Sequence, residues 1–250
     1  MHPKRKGSPQ RVMSERKISS FRTPGQADLD AHGDSPDDRH NTTRPTARRD
    51  RQTPAEKKPR RVTRDYLMNY ATWYLERFTA SRARLEKLMR GKIRLSIAQY
   101  DTDPQEAEDW MKSVLNTCET AGFLDDQAYA LGRARSMLRK GKAIRVIGAD
   151  LNARGIASTL VDQTITDLRD EADDAAHTDM RGTDPNLAAA AAYARRRRLG
   201  PFRRPDQREE KHDKDLAALA RQGFSYDIAT RIINSDTGDL ENLLQIIDGL

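Results

Sequence analysis

Leu151, Gly155, Ile156, Leu160 and Ile165 return as Leu219, Gly223, Phe224, Ile228 and Ile233, displaced by a constant 68 residues. An apolar pattern that recurs with its glycine in the same place is an internal repeat, and it restricts the chain to architectures built from copies of one unit. Between and around these positions the apolar period is three to four residues, so the unit is helical. Each unit reads as three short helices that cannot bury their apolar faces alone. The prediction is therefore an all-α chain of three tandem three-helix repeats, stacked into an elongated curved array instead of a ball.

The first repeat begins with Leu67, Tyr70, Ala71, Tyr74 and Phe78, which line one helix face and read as core. Ser81 is the expected cap of a second helix that buries Leu85, Leu88 and Met89, with Gly91 as its terminator. Asp103, Pro104 and Glu106 then form a capping pattern for a third helix bearing Ala107, Trp110, Met111, Val114, Leu115 and Cys118. Gly122 ends that helix, and Phe123 is expected to fold back on it. The second repeat runs from the Asp125 cap through helices carrying Tyr129, Ala130, Ala134, Met137 and Leu138, then Ile144, Ile147 and Leu151, then Leu160, Val161, Thr164, Ile165 and Leu168. Residues 169–184 are acidic and without apolar period, and read as a linker. In the third repeat an alanine-rich helix runs into Arg195–Arg198 and stops at Gly200-Pro201, and 202–214 read as a charged insertion. Leu240, Leu243, Leu244 and Ile247 outline a last helix able to cover the open end of the array. The predicted segments are a disordered basic tail over 1–60, repeats over 61–124, 125–182 (with the acidic linker) and 183–235, and an amphipathic segment over 236–250.

Composition separates the tail from the repeats. Residues 1–60 contain seven of the eleven prolines and 15 Lys+Arg against 8 Asp+Glu, while the remaining bases and acids balance at 30 each. The whole net charge of +7 thus belongs to a stretch too poor in apolar residues to order itself. No apolar run follows Lys4, Arg5 and Lys6, and no stretch approaches the length of a membrane span, so the reading is a cytoplasmic protein with no membrane partner.

Signals for catalysis are weak. Gly91-Lys92 and Gly141-Lys142 lack the preceding glycine and following Ser or Thr of a phosphate-binding loop. The five histidines, His2, His32, His40, His177 and His212, are not paired at metal-ligand spacing, and the single cysteine excludes a disulfide within the chain. The expectation is no enzyme activity, no cofactor and no metal.

Basic residues within the neutral body come in blocks: nine against three acids over 61–100, seven against Asp150 alone over 133–154, and six without an acid over 195–204. Arg135 and Arg139 share a helix stripe, Lys142 lies just beyond its end, and the stripe reads as having no acid partner. Each block alone fits either a solvated surface or a binding face. Recurrence in three repeats favours binding to a partner that itself repeats, such as a nucleoprotein filament.

The stretch of about 64–235 resembles the RecX family, regulators of the RecA recombinase. The middle repeat carries most of the likeness, with Gly122-Phe123-Leu124-Asp125-Asp126, Tyr129-Ala130, Arg135, Gly141, Ile144, Leu151 and Arg154-Gly155-Ile156. The first adds Tyr74-Leu75, Ser81-Arg82 and Leu85. The third adds the run from Tyr193 through Arg195, Arg196, Arg197 and Arg198 to Phe202, and Gly223-Phe224, in the form the family takes in alphaproteobacteria. The resemblance implies a non-catalytic monomer that inserts along a RecA–DNA filament and opposes its growth, ATP hydrolysis and strand exchange in DNA repair, recombination and the SOS response. DNA would be a secondary contact. The residues expected to meet the partner are Arg82, Arg84, Arg135, Arg139, Lys142, Arg195, Arg196, Arg197 and Arg198. Two departures stand out: Arg84 replaces the family's usual acid, and the long tail is either an auxiliary DNA-binding arm or an extension without a role.

Overall fold

Ten α-helices and two short 3-10 turns account for the secondary structure of the described residues, 60–176 and 184–249 of this computed structural model, with no strand among them. The first repeat comprises α1 (Arg64–Leu75), α2 (Arg82–Tyr100) and α3 (Pro104–Thr120). The second comprises α4 (Asp126–Arg139), α5 (Ile144–Ala153) and α6 (Ser158–Ala175). The third comprises α7 (Pro185–Arg197), α8 (Arg208–Arg221) and α9 (Tyr226–Asn234), and α10 (Thr237–Asp248) follows. The chain divides into Met1–Lys58 and Pro59–Leu250. The tail expected over 1–60 lies, apart from Arg60, outside the described residues, as does the part of the acidic stretch over 177–183.

Helix starts follow the predicted caps. Ser81 Oγ accepts from Arg84 N (3.2 Å), an Asp103 carboxylate oxygen from Glu106 N (2.8 Å) and an Asp125 oxygen from Ala128 N (2.9 Å), each satisfying an amide that has no partner within its helix. Four helices end alike. After α3, α4, α5 and α8 the chain turns through Gly122, Gly141, Gly155 and Gly223, all at positive φ, and the next amide bonds back to a carbonyl five residues earlier.

The recurrence at 68 residues is the recurrence of a joint. Ser81, the cap of α2, donates its hydroxyl to the Arg154 carbonyl at the end of α5 (2.8 Å), and the Gly155 backbone abuts the Ala83 side chain so closely that a Cβ has no room. One repeat later, the Ala143 amide at the start of α5 donates to the Gln222 carbonyl at the end of α8 (3.3 Å). Gly223 likewise abuts Val146. In both places the second helix of one repeat starts against the glycine that ends the second helix of the next. Glycine is required twice over, for the left-handed turn and for the close approach.

A continuous core extends from Ala130 to Ile247 across the second and third repeats. At its centre α7 is buried on every side from Leu187 to Ala194, because alanine lets neighbouring backbones approach. The last helix, α10, packs on α7, α6 and α4 through Leu240, Leu243, Leu244, Ile246 and Ile247. It joins two repeats instead of covering a free end.

Several local expectations need correction. Gly91 does not terminate α2, since the buried series Leu85, Met89, Ile93, Ser96 continues past it and its missing Cβ faces open space. The acidic stretch is helical as far as Ala175, because Leu168, Ala172 and Ala176 bury at four-residue steps that a count of large apolar residues overlooks. The charged insertion is helical from Arg208, with Glu209 and Glu210 placed favourably in the first turn. Phe78 and Phe123, expected inside, are 51% and 62% exposed; Leu124 takes the place assigned to Phe123.

Candidate cationic interaction site

Ion pairing sorts the basic residues into two groups. Arg82 is structural: its amide donates to Asp126 Oδ1 (2.7 Å), and its guanidinium contacts Asn116 Oδ1 (2.9 Å) and Glu119 Oε2 (2.5 Å), tying α2 to α3 and α4. Burial at this junction raises the Asp126 carboxyl above its ordinary range. Arg135 is structural too. It forms a two-pronged pair with Glu171 of α6, Nε to Oε2 at 2.7 Å and Nη2 to Oε1, which raises the guanidinium pKa. The reading that the Arg135 stripe has no acid partner is thus overturned. Its partner belongs to the acidic stretch that was expected to be a linker.

Asp150 fills the same role for two further bases, accepting from Arg133 (Nη2 to Oδ1, 2.9 Å) and from Arg154 (Nε to Oδ2, 2.9 Å). The bonds from Arg133 and then Arg154 hold its carboxyl below the usual range. A carboxylate with a lowered folded pKa stabilises the protein above the unfolded value, and the contribution vanishes as pH falls through the folded one. Because the three side chains are about one-quarter to one-third exposed, Asp150→Asn is expected to cost only about 1–2 kcal/mol at pH 7. Melting both proteins across pH should show the gap closing below the ordinary carboxylate range.

Arg139, Lys142 and Arg195–Arg198, with Lys140 between the first two, are different. Among the described residues none of these seven cations has an ion pair, and all are exposed except half-buried Lys142. The fold brings the two runs together. Lys140, Gly141 and Lys142 form the turn after α4, and Arg195–Arg197 form the last turn of α7, capped by Arg198. A Cβ on Gly141 would lie 2.6 Å from Tyr193 Cβ and 2.9 Å from the Ala189 carbonyl, so the turn rests on the α7 backbone. Arg196 closes the contact by donating from Nη2 to the Lys140 carbonyl (2.6 Å), with its guanidinium 5.5 Å above the Tyr193 ring. Two helix C-termini thus meet under one group of bases, an arrangement their dipoles favour.

Arg84, exposed on α2, also has no ion pair among the described residues, but it belongs to the first repeat and is not part of this group. Sequence reading named Arg139, Lys142 and Arg195–Arg198 without placing them together, and it did not single out Lys140. Its position between two named bases was the available signal.

No cluster of three or more His, Cys, Asp or Glu side chains arranged for a metal occurs among the described residues. No helix among them is long and apolar enough to cross a membrane.

Residues 125–165, covering α4, α5 and the start of α6, match the family model described as RecX, second three-helix domain. A regulatory protein RecX from Myxococcus xanthus is 35% identical over 181 residues, 72% of this chain and 90% of the relative. Another, from Agrobacterium fabrum, is 34% identical over 121 residues, 48% of this chain and 57% of the relative. A crystal structure of regulatory protein RecX aligns with 69% of this chain and 72% of its own length, at 20% identity and a TM-score of 0.44. With a relative matched over nine-tenths of its length and the middle repeat recognised by itself, the chain belongs to the RecX family of regulatory proteins.

Proposed function

We propose that this protein is a non-catalytic regulator that binds the RecA–DNA filament in the cytoplasm as a monomer and restrains filament growth, ATP hydrolysis and strand exchange. The observation that supports this reading most is the group of cations at the ends of α4 and α7, which has no carboxylate partner among the described residues of a RecX family member. Unpaired bases on a folded surface favour association with an acidic partner and accelerate encounter with it. Arg139, Lys142 and Arg195–Arg198 are the contact residues, together with Lys140, and Arg84 adds a contact from the first repeat. Arg82 and Arg135 act indirectly, by fixing helices.

The test is ATP hydrolysis by RecA on single-stranded DNA with increasing amounts of the full chain. Hydrolysis is expected to fall progressively, and electron microscopy should show shortened filaments. Undiminished hydrolysis with filaments of normal length would rule the proposal out.

A further inference from the structure

We propose that the outward face of α2 is a docking surface for a further protein, which presents an amphipathic helix bordered by acidic side chains. The inference goes beyond the filament reading and does not rest on it.

The helix has two apolar stripes. Leu85, Met89 and Ile93 are buried in the first repeat. A second stripe, Leu88, Gly91, Leu95 and Ala98, advances by steps of three, four and three residues, the spacing at which one helix lies along another. Nothing among the described residues fills that place. Leu95 is 49% exposed, Ala98 is exposed, Leu88 is half-buried, and a Cβ on Gly91 would meet no atom within 4 Å. A single exposed leucine is ordinary on a protein surface, but apolar residues in helix-pairing register form a seam without its partner. Glycine inside a helix is less favourable than alanine, and Gly91 gains no packing within the chain in return. It leaves a notch between Leu88 and Leu95 that admits a partner's side chain, and the notch opens into a groove of about 690 Å³ between α2 and α3.

Charge selects the partner. Lys87 and Arg94, seven residues apart, border the stripe on the side of this groove; both are exposed and neither has an ion pair among the described residues. Lys92 borders the other side, its ammonium 5.2 Å from the Tyr70 ring. The acids that line the groove, Glu86 and Glu108, are both engaged by Arg90 at 2.8 Å. Residues in these flanking positions meet the flanks of the partner helix and decide which partner is accepted. Two copies of α2 would set Lys87, Lys92 and Arg94 against their like, which works against pairing of the chain with itself. A helix with Asp or Glu beside its apolar stripe satisfies the seam and the three bases together.

The test is fluorescence anisotropy of the full chain, without RecA, against a labelled helical peptide that has leucine at the apolar positions and glutamate at the flanking positions of each heptad. The chain should bind this peptide, and should bind neither a scrambled peptide of the same composition nor one with lysine at the flanks. Gly91→Gln separates docking from folding, because glutamine is the better helix former and meets nothing at that position. It should weaken binding by about tenfold or more, with the melting temperature unchanged or higher. Lys87→Glu with Arg94→Glu should transfer the preference to the lysine-flanked peptide. Absence of binding would overturn the proposal, as would equal binding of the scrambled peptide. So would a loss of binding in Arg139→Gln with Arg197→Gln but not in Gly91→Gln, which would assign the peptide to the bases at the α4 and α7 joint. Self-association in sedimentation that Gly91→Gln abolishes would give the face to a second copy and overturn it too. Because RecA is absent, these outcomes do not depend on whether the chain restrains the filament.

Discussion

Replacing Asp215 by alanine is expected to destabilise the folded unit by about 2–4 kcal/mol, the cost of leaving the buried Gly200 amide and the partly exposed Arg203 guanidinium without their acceptor. Asp215, in the middle of α8, is 2% exposed and faces the turn that leaves α7. Its carboxylate accepts from the Gly200 amide (2.9 Å), and from Arg203 through Nε (3.0 Å) and Nη2 (2.6 Å). The hydrogen bonds to Asp215 raise the Arg203 guanidinium pKa. Gly200 itself is at φ 51°, close against Ile233, so the turn has little room to relax. Because this turn leaves the end of α7, loosening it should also disturb Arg195–Arg198. Urea denaturation should show a lower midpoint with an unchanged slope. Asp215→Asn, which retains an acceptor for the Gly200 amide but not the charge for Arg203, should lose less.

What could be read from the sequence was whatever depends on neighbours along the chain. Ser81, Asp103 and Asp125 announce helix starts because a cap bonds an amide three residues on. The shift of 68 residues was visible because the joint between repeats needs a glycine that no other residue can replace. Contacts across long separations were not visible. Arg135 meets Glu171 36 residues away, and Arg196 meets the Lys140 carbonyl 56 residues away; neither leaves a mark on local periodicity. A count of bases by block therefore suggested three equivalent cationic stripes. In the fold, carboxylates neutralise Arg82, Arg133, Arg135, Arg154 and Arg203, while Arg139, Lys140, Lys142 and Arg195–Arg198 gather into one group. The burial of Ala172 and the exposure of Phe78 show the same limit at the level of packing, since size and polarity do not say which face of a helix finds a neighbour.

The proposed regulation depends on the position of charge more than on its amount. Two double variants with the same change in net charge separate these alternatives. Arg139→Glu with Arg197→Glu reverses both helix ends at the α4 and α7 joint. Arg64→Glu with Arg94→Glu reverses two exposed bases of the first repeat that have no ion pair among the described residues. Each reversal at a true contact should cost about 1.4 kcal/mol or more, a factor of about ten, so the first variant should require on the order of a hundredfold more protein for the same effect. The decisive measurement is the concentration of each variant that halves RecA's ATP hydrolysis on single-stranded DNA, taken at one fixed salt concentration with circular dichroism confirming equal helix content. The expected result is a hundredfold increase for the joint variant and less than a threefold change for the other. Equal losses in both would contradict it, by showing that overall charge and not this joint governs the interaction.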